Sequence, residues 1–147
     1  MTIVIAQESR QIVVSQVGKQ GPGGLTTRNV SLSLFASDAS AAVIDGALGL
    51  PIPSTMNGLT LREVLVSVIE PGLVSGILSI QVRRFRAGAE VEMLSIPTTL
   101  AVDEYVSING VVDSSNDDVL TGDILFVDVT TVPATPPEGV SVSLTLS

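Results

Sequence analysis

The chain contains no histidine, no cysteine and no tryptophan, and only one tyrosine and one lysine in 147 residues. Without cysteine neither a disulfide framework nor a thiolate metal site can form, and cysteine usage carries no message about redox compartment. Without histidine the commonest general base is missing, and the groups that usually activate a nucleophile are reduced to carboxylates. The inventory therefore predicts a protein that is not an enzyme and needs no cofactor. Bases are also scarce, seven against fifteen acids for a formal net charge of -8. A phosphate-binding surface needs a Lys/Arg footprint, so nucleic acid is excluded as an expected partner. The opening MTIVIAQESR has no basic region before its apolar run and meets Glu8 early, and no apolar run approaches the length of a membrane span. We expect a soluble chain made without cleavage and without membrane contact.

What is present is aliphatic. Apolar residues make up 45% of the sequence and the mean hydropathy is +0.53, yet aromatics are 3%, so the apolar mass is valine, isoleucine, leucine and alanine. A folded monomer of 15.2 kDa exposes roughly 7,000 Å² by mass scaling. So much aliphatic surface on so small a body predicts burial against sister copies, hence a homo-oligomer.

Periodicity in the testable segments is two. Val30–Leu34 (VSLSL), Ile77–Phe85 (ILSIQVRRF), Ile124–Thr130 (ILFVDVT) and Val140–Leu146 (VSVSLTL) alternate apolar with polar residues, as half-buried strands do. Turn formers punctuate them at Pro51 and Pro53, Asn57-Gly58, Pro71-Gly72, Gly88, Pro97, Asn109-Gly110, Gly122-Asp123 and Pro133 to Gly139. Only SDASAAVIDGALG, from Ser37, has the capping residues and alanines of a short helix. Before the strands, TIVIA and QIVVSQV are two apolar runs with nothing local to pack on, followed by Gly21-Pro22-Gly23-Gly24, which can hold neither helix nor strand. The expected fold is all-β: a jelly-roll-like antiparallel β-sandwich preceded by an extended N-terminal anchoring arm. The divisions are an arm over residues 1–18, a Gly/Pro-rich joint over 19–27 and a head over 28–147. Ile3, Val4, Ile5, Ile12, Val13 and Val14 are the candidate anchoring residues, and Gly21 to Gly24 the turn that directs the head outward. Two glycines three residues apart are too little for a collagen helix.

Three clusters could carry chemistry. Asp113, Asn116, Asp117, Asp118 and Asp123 are rich in oxygen ligands, but their spacing departs from a calcium loop and polar residues ordinarily fill such crossings. We read this segment as loop, with no metal. Glu90 and Glu92 share a strand face in the manner of a glycosidase pair, an arrangement equally common on solvated strands. Arg83, Arg84, Phe85 and Arg86 concentrate basic and aromatic character, and we read them as either a solvated strand end or a contact with an acidic partner or a neighbouring subunit through Glu90, Glu92 or Glu70.

From Glu92 to Leu146 the MLS strand, the acidic DE turn, the NDDV loop, TGDILFVDV and the closing PPEGVSVSLTL resemble a domain of virion surface proteins of tailed bacteriophages. The apolar piece leading into VGKQGPGG is similar to the attachment arms of small phage fibre and head-surface proteins. The resemblance implies a jelly-roll-like head, usually trimeric, held by its N-terminal arm on the outside of the virion after synthesis in the host cytoplasm, and it supplies no catalytic residues. It fits a capsid decoration (cement) or head-fibre protein whose partner is the major capsid protein or another virion protein, since 147 residues are few for a tail fibre with a shaft. The alternative is a tail-fibre or receptor-binding knob for a host glycan, for which Phe35, Phe85, Tyr105 and Phe126 are the whole supply of aromatic platforms.

Overall fold

Side chains that alternate in and out along strands can be buried only if two sheets face each other, and the chain solves this with one repeated antiparallel scheme. The computed structural model describes residues 2–7, 10–17 and 27–147, the first two segments through their backbone pairing. Its strands are β1 (Thr2–Gln7), β2 (Arg10–Val17), β3 (Thr27–Ser33), β4 (Ile44–Pro51), β5 (Leu61–Ser67), β6 (Ile77–Arg86), β7 (Ala89–Glu92), β8 (Leu94–Ile96), β9 (Thr98–Ala101), β10 (Val106–Ser107), β11 (Val111–Val112), β12 (Ile124–Thr131) and β13 (Ser141–Leu146). One large sheet runs β1-β2-β3-β13-β5-β10 and the other β4-β12-β6-β7, with β9 beside β6, while β8 and β11 form a separate two-stranded pair. β7 pairs with the Arg83–Arg86 end of β6 and β9 with its Ile77–Ile80 end. Counting only β3, β4, β5, β6, β9, β10, β12 and β13, the first sheet reads first-eighth-third-sixth and the second reads second-seventh-fourth-fifth. That is the double Greek key of a jelly roll.

Register makes the core. On β13, Val142, Leu144 and Leu146 point inward while Ser141, Ser143 and Thr145 point outward. Val142 lies between Leu32 and Val66, and Leu144 between Val30 and Val64. In the facing sheet, Leu125, Val127 and Val129 of β12 and Leu78, Ile80 and Val82 of β6 are buried, with Val127 opposite Val82, Val129 opposite Ile80 and Leu125 opposite Arg84. Met56, Met93 and Val119 belong to the same core and are fully buried. The outer face of the first sheet is tied by small hydroxyls instead: Ser31 and Ser143 meet at 3.1 Å and the Thr145 hydroxyl donates to Asn29 at 3.0 Å.

Two expectations change. The segment from Ser37 forms no helix: a turn at Ser37 and Asp38 leads to a bridge at Ser40 and then to β4. Had it been helical, one backbone edge of β12 would have lost the partner that β4 supplies. Gly46 makes the strand feasible. It takes φ +62 where the β4–β12 register slips, and the Phe126 ring lies over it and over Gly49, where a β-carbon would sit 3.2 Å from the ring. The N-terminal runs, expected to have nothing local to pack on, are strands with a local partner. β1 and β2 form a hairpin, and β2 is hydrogen-bonded along β3, with Ile12 opposite Leu32 and Val14 opposite Val30. Gly21 to Gly24 lie outside the described residues. Among the described residues no helix is long and apolar enough to cross a membrane.

Since Leu144 is fully buried between two strands, Leu144→Ala is expected to lower the unfolding free energy by about 2–5 kcal/mol. Ser143→Ala, on the opposite face, should change it by no more than about 0.5 kcal/mol. Chemical denaturation of the two variants checks the inward–outward assignment.

Candidate functional site

The arginine-rich end of β6 gathers most of the described ion pairs. β-strand alternation sends Arg84 and Arg86 to one face and Arg83 and Phe85 to the other. On the outer face Arg83 is directly opposite Phe126, and its guanidinium carbon stands 5.5 Å from the ring centroid. The same guanidinium donates to both carboxylate oxygens of Asp128 and to Glu90. Asp128 is 3% exposed and also accepts the Gly46 N–H, so the bulged strand β4, the central strand β12 and β6 are tied at one carboxylate. The Asp128 hydrogen bond, partly opposed by desolvation, is the largest influence raising the Arg83 pKa above the ordinary arginine value.

At the inner end Arg84 and Arg86 hold the loop that precedes β12. Arg84 donates from Nη1 to the Asp118 carbonyl and carboxylate, both at 2.6 Å, and Arg86 donates from Nη2 to the other Asp118 oxygen at 2.9 Å. Arg86 also grips Asp123 in a two-point fork, Nε to Oδ1 at 2.8 Å and Nη2 to Oδ2 at 2.7 Å. Asp123 is 2% exposed and receives the Leu120 N–H at 2.8 Å as well. Burial of Asp118 opposes its charge, but the hydrogen bonds from Arg86 and Arg84 outweigh it and its pKa falls below the usual carboxylate range. For Asp123 the Arg86 hydrogen bond is the main cause of the same downward shift, against desolvation and with help from the Leu120 amide. Between them the loop runs along Leu59–Leu61, with Val119 N–H bonded to Leu59 and Leu61 N–H to Asp117.

This arrangement is a clamp. Asp118 and Asp123 are committed to guanidinium groups and held in their charged forms, so neither is set to accept a proton from a substrate. Asp113 uses its oxygens on the Ser115 amide and the Asn116 side chain, which lower its pKa and fold the loop back on itself. Among the described residues no group of three or more acidic side chains is placed to hold a metal ion.

The residues singled out by sequence are therefore distributed as follows. Arg83, Arg84 and Arg86 find carboxylates within their own chain, and of the expected acidic partners Glu90 is one. Asp118, Asp123 and Asp128 were missed as partners. Asp128 sits one diagonal step from Arg83 across the β6–β12 ladder, so a trial antiparallel register of ILSIQVRRF against ILFVDVT would have brought the pair together. Ile3, Val4 and Ile5 fall on β1 and Ile12, Val13 and Val14 on β2, remote in sequence from the clamp. Of the aromatics, Phe126 covers glycines, Phe35 packs on the core and Tyr105 is exposed.

Comparison with protein-family models, with characterised proteins and with solved structures gives no match for this chain.

Asp123→Asn should weaken the fold by about 2 kcal/mol, below the full value for a buried pair because the Arg86 side chain is 32% exposed. The carboxylates of Asp118 and Asp123 have depressed pKa values in the folded state. Their contribution is thus present above the ordinary carboxylate pKa of about 4 and is lost as pH falls through the folded values. Denaturation midpoints measured from neutral pH downward should drop in acid, with a shallower drop in the double variant Asp118→Asn, Asp123→Asn. Parallel pH profiles for wild type and double variant would mean that the clamp does not govern acid lability.

Proposed function

We propose that this is a structural protein of a tailed-phage virion, a capsid-decorating or head-fibre protein whose N-terminal strands attach it to the particle. The observation that carries the reading is the position of β1. It ends the six-stranded sheet, and its sequence TIVIAQ has neither a charged residue nor a proline to discourage further pairing. Among the described residues the other edge of β1 has no partner, and an edge of this composition suits β-strand addition, in which main-chain hydrogen bonds to a neighbouring sheet supply the affinity. The jelly-roll order supports the reading by analogy, as that architecture recurs in capsid components, though a fold by itself names no function. The partner is the major capsid protein or another virion protein, and the assembly a homotrimer, in which several modest contacts act together.

Light scattering followed by sedimentation with undecorated particles tests this. The full-length protein is expected to be a trimer that co-sediments in stoichiometric amounts. Deletion of residues 2–17 should leave a folded head, since the eight-strand order is complete without β1 and β2, and that head should stay in the supernatant. Decoration by the deleted form would overturn the anchoring role of the strands.

A further inference from the structure

The four loops that leave β3, β5, β9 and β12 meet at one end of the sandwich and are bonded to each other. Ala41 N–H donates to Pro137, Leu73 N–H to Thr135, Asp103 N–H to Gly72 and Val68 N–H to Tyr105, all at 2.8–3.0 Å. Such cross-bracing gives a fixed surface. Its tip is apolar and open to solvent: Val74 is 78% exposed, Ile69 55% and Leu73 46%.

Among the described residues Val74 is also the one β-branched side chain at positive φ. It has φ +78 and is enclosed by a hydrogen bond from Ser75 N–H to the Leu73 carbonyl, a γ-turn of the strained hand. A β-branched residue is poorly suited to that region, where glycine would be relaxed. Neither packing nor backbone geometry favours valine at this point. The turn is nonetheless locked by the Ala134 N–H bond to Ser75 and the paired bonds between Leu73 and Thr135.

Charge specifies what could sit there. Glu70, Asp103, Glu104 and Glu138 frame the tip. The guanidinium groups of Arg28, opposite Leu146, of Arg62, against Ser147, and of Arg83, Arg84 and Arg86, at the end of β6, lie toward the other end, while the backbone of Arg10 opens β2 on the side of the tip. A carboxylate frame repels nucleic acid, anionic lipid and the same end of a second copy. It complements an apolar knob bordered by Lys or Arg.

We propose that this end, centred on Leu73 and Val74, is a docking surface for a protein partner that presents an apolar cluster edged with basic side chains. It is separate from the β1 edge, and the failure of either assignment leaves the other standing.

The test is NMR titration of the full-length 15N-labelled protein with two synthetic peptides, one alternating leucine with lysine and one alternating leucine with glutamate. The lysine peptide is expected to shift resonances of residues 69–76, 103–105 and 134–139, and to bind more weakly as salt is raised. The double variant Leu73→Ser, Val74→Ser should raise its Kd roughly tenfold or more, and the pair Glu70→Gln, Glu104→Gln should reduce the salt dependence. Val74→Gly should raise the denaturation midpoint while weakening binding, the signature of a side chain kept for contact at the expense of the backbone. The proposal is overturned by no binding of the lysine peptide, by equal binding of the glutamate peptide, or by shifts centred elsewhere. It is overturned likewise if the tip resonances move with protein concentration alone, which would mean that a second copy covers the tip.

Discussion

The whole architecture rests on the insertion of late strands between early ones. β13 lies between β3 and β5, and β12 between β4 and β6. Each of these two strands contributes three inward aliphatic side chains to the core and satisfies the backbone of two neighbours at once. Until they are in place, β3 and β5 have no reason to be adjacent, and neither do β4 and β6. Most of the contacts are consequently long-range in sequence, the condition under which loop-closure entropy opposes folding most and the chain folds slowly.

The arginine clamp extends that logic to the loops. Arg84 and Arg86 provide the place where the polar segment before β12 is held. Since both arginines belong to β6, the strand that pairs with β12 also fixes the approach to β12. On the opposite face Arg83, Phe126 and Asp128 do the equivalent for the bulge in β4. Three neighbouring basic residues that look like one patch in the sequence thus serve two separate joints, because successive residues of a strand face opposite ways.

This division explains what the sequence disclosed. β3, β6, β12 and β13 were legible because their cores are made by strict alternation, and the turn-forming residues between them fall where the chain reverses. β4 was not legible: Ala47 and Leu50 bury an irregular set around Gly46, and the alanines and glycines of that stretch carry no strand signal. The short strands β7 to β11 are fixed mainly by what they pair with, so local propensity could not define them. As for the site, the arginines stood out by composition, but their partners did not, since pairing Arg86 with Asp123 or Arg83 with Asp128 requires the sheet register and not proximity along the chain. The strain at Val74 left no trace in the sequence at all, because φ at that position is dictated by hydrogen bonds from the Pro133–Gly139 loop.

The carboxylates around the tip have no ion pair among the described residues, unlike Glu90, Asp118, Asp123 and Asp128, and this has an effect at distances beyond any contact. It gathers part of the net negative charge around one apolar tip. Within a Debye length or so of a positively charged body, that cluster adds attraction before any contact is made. Encounter is then biased in orientation as well as in frequency, a form of selectivity that vanishes with added salt while the fold itself, built on aliphatic packing, stays unchanged.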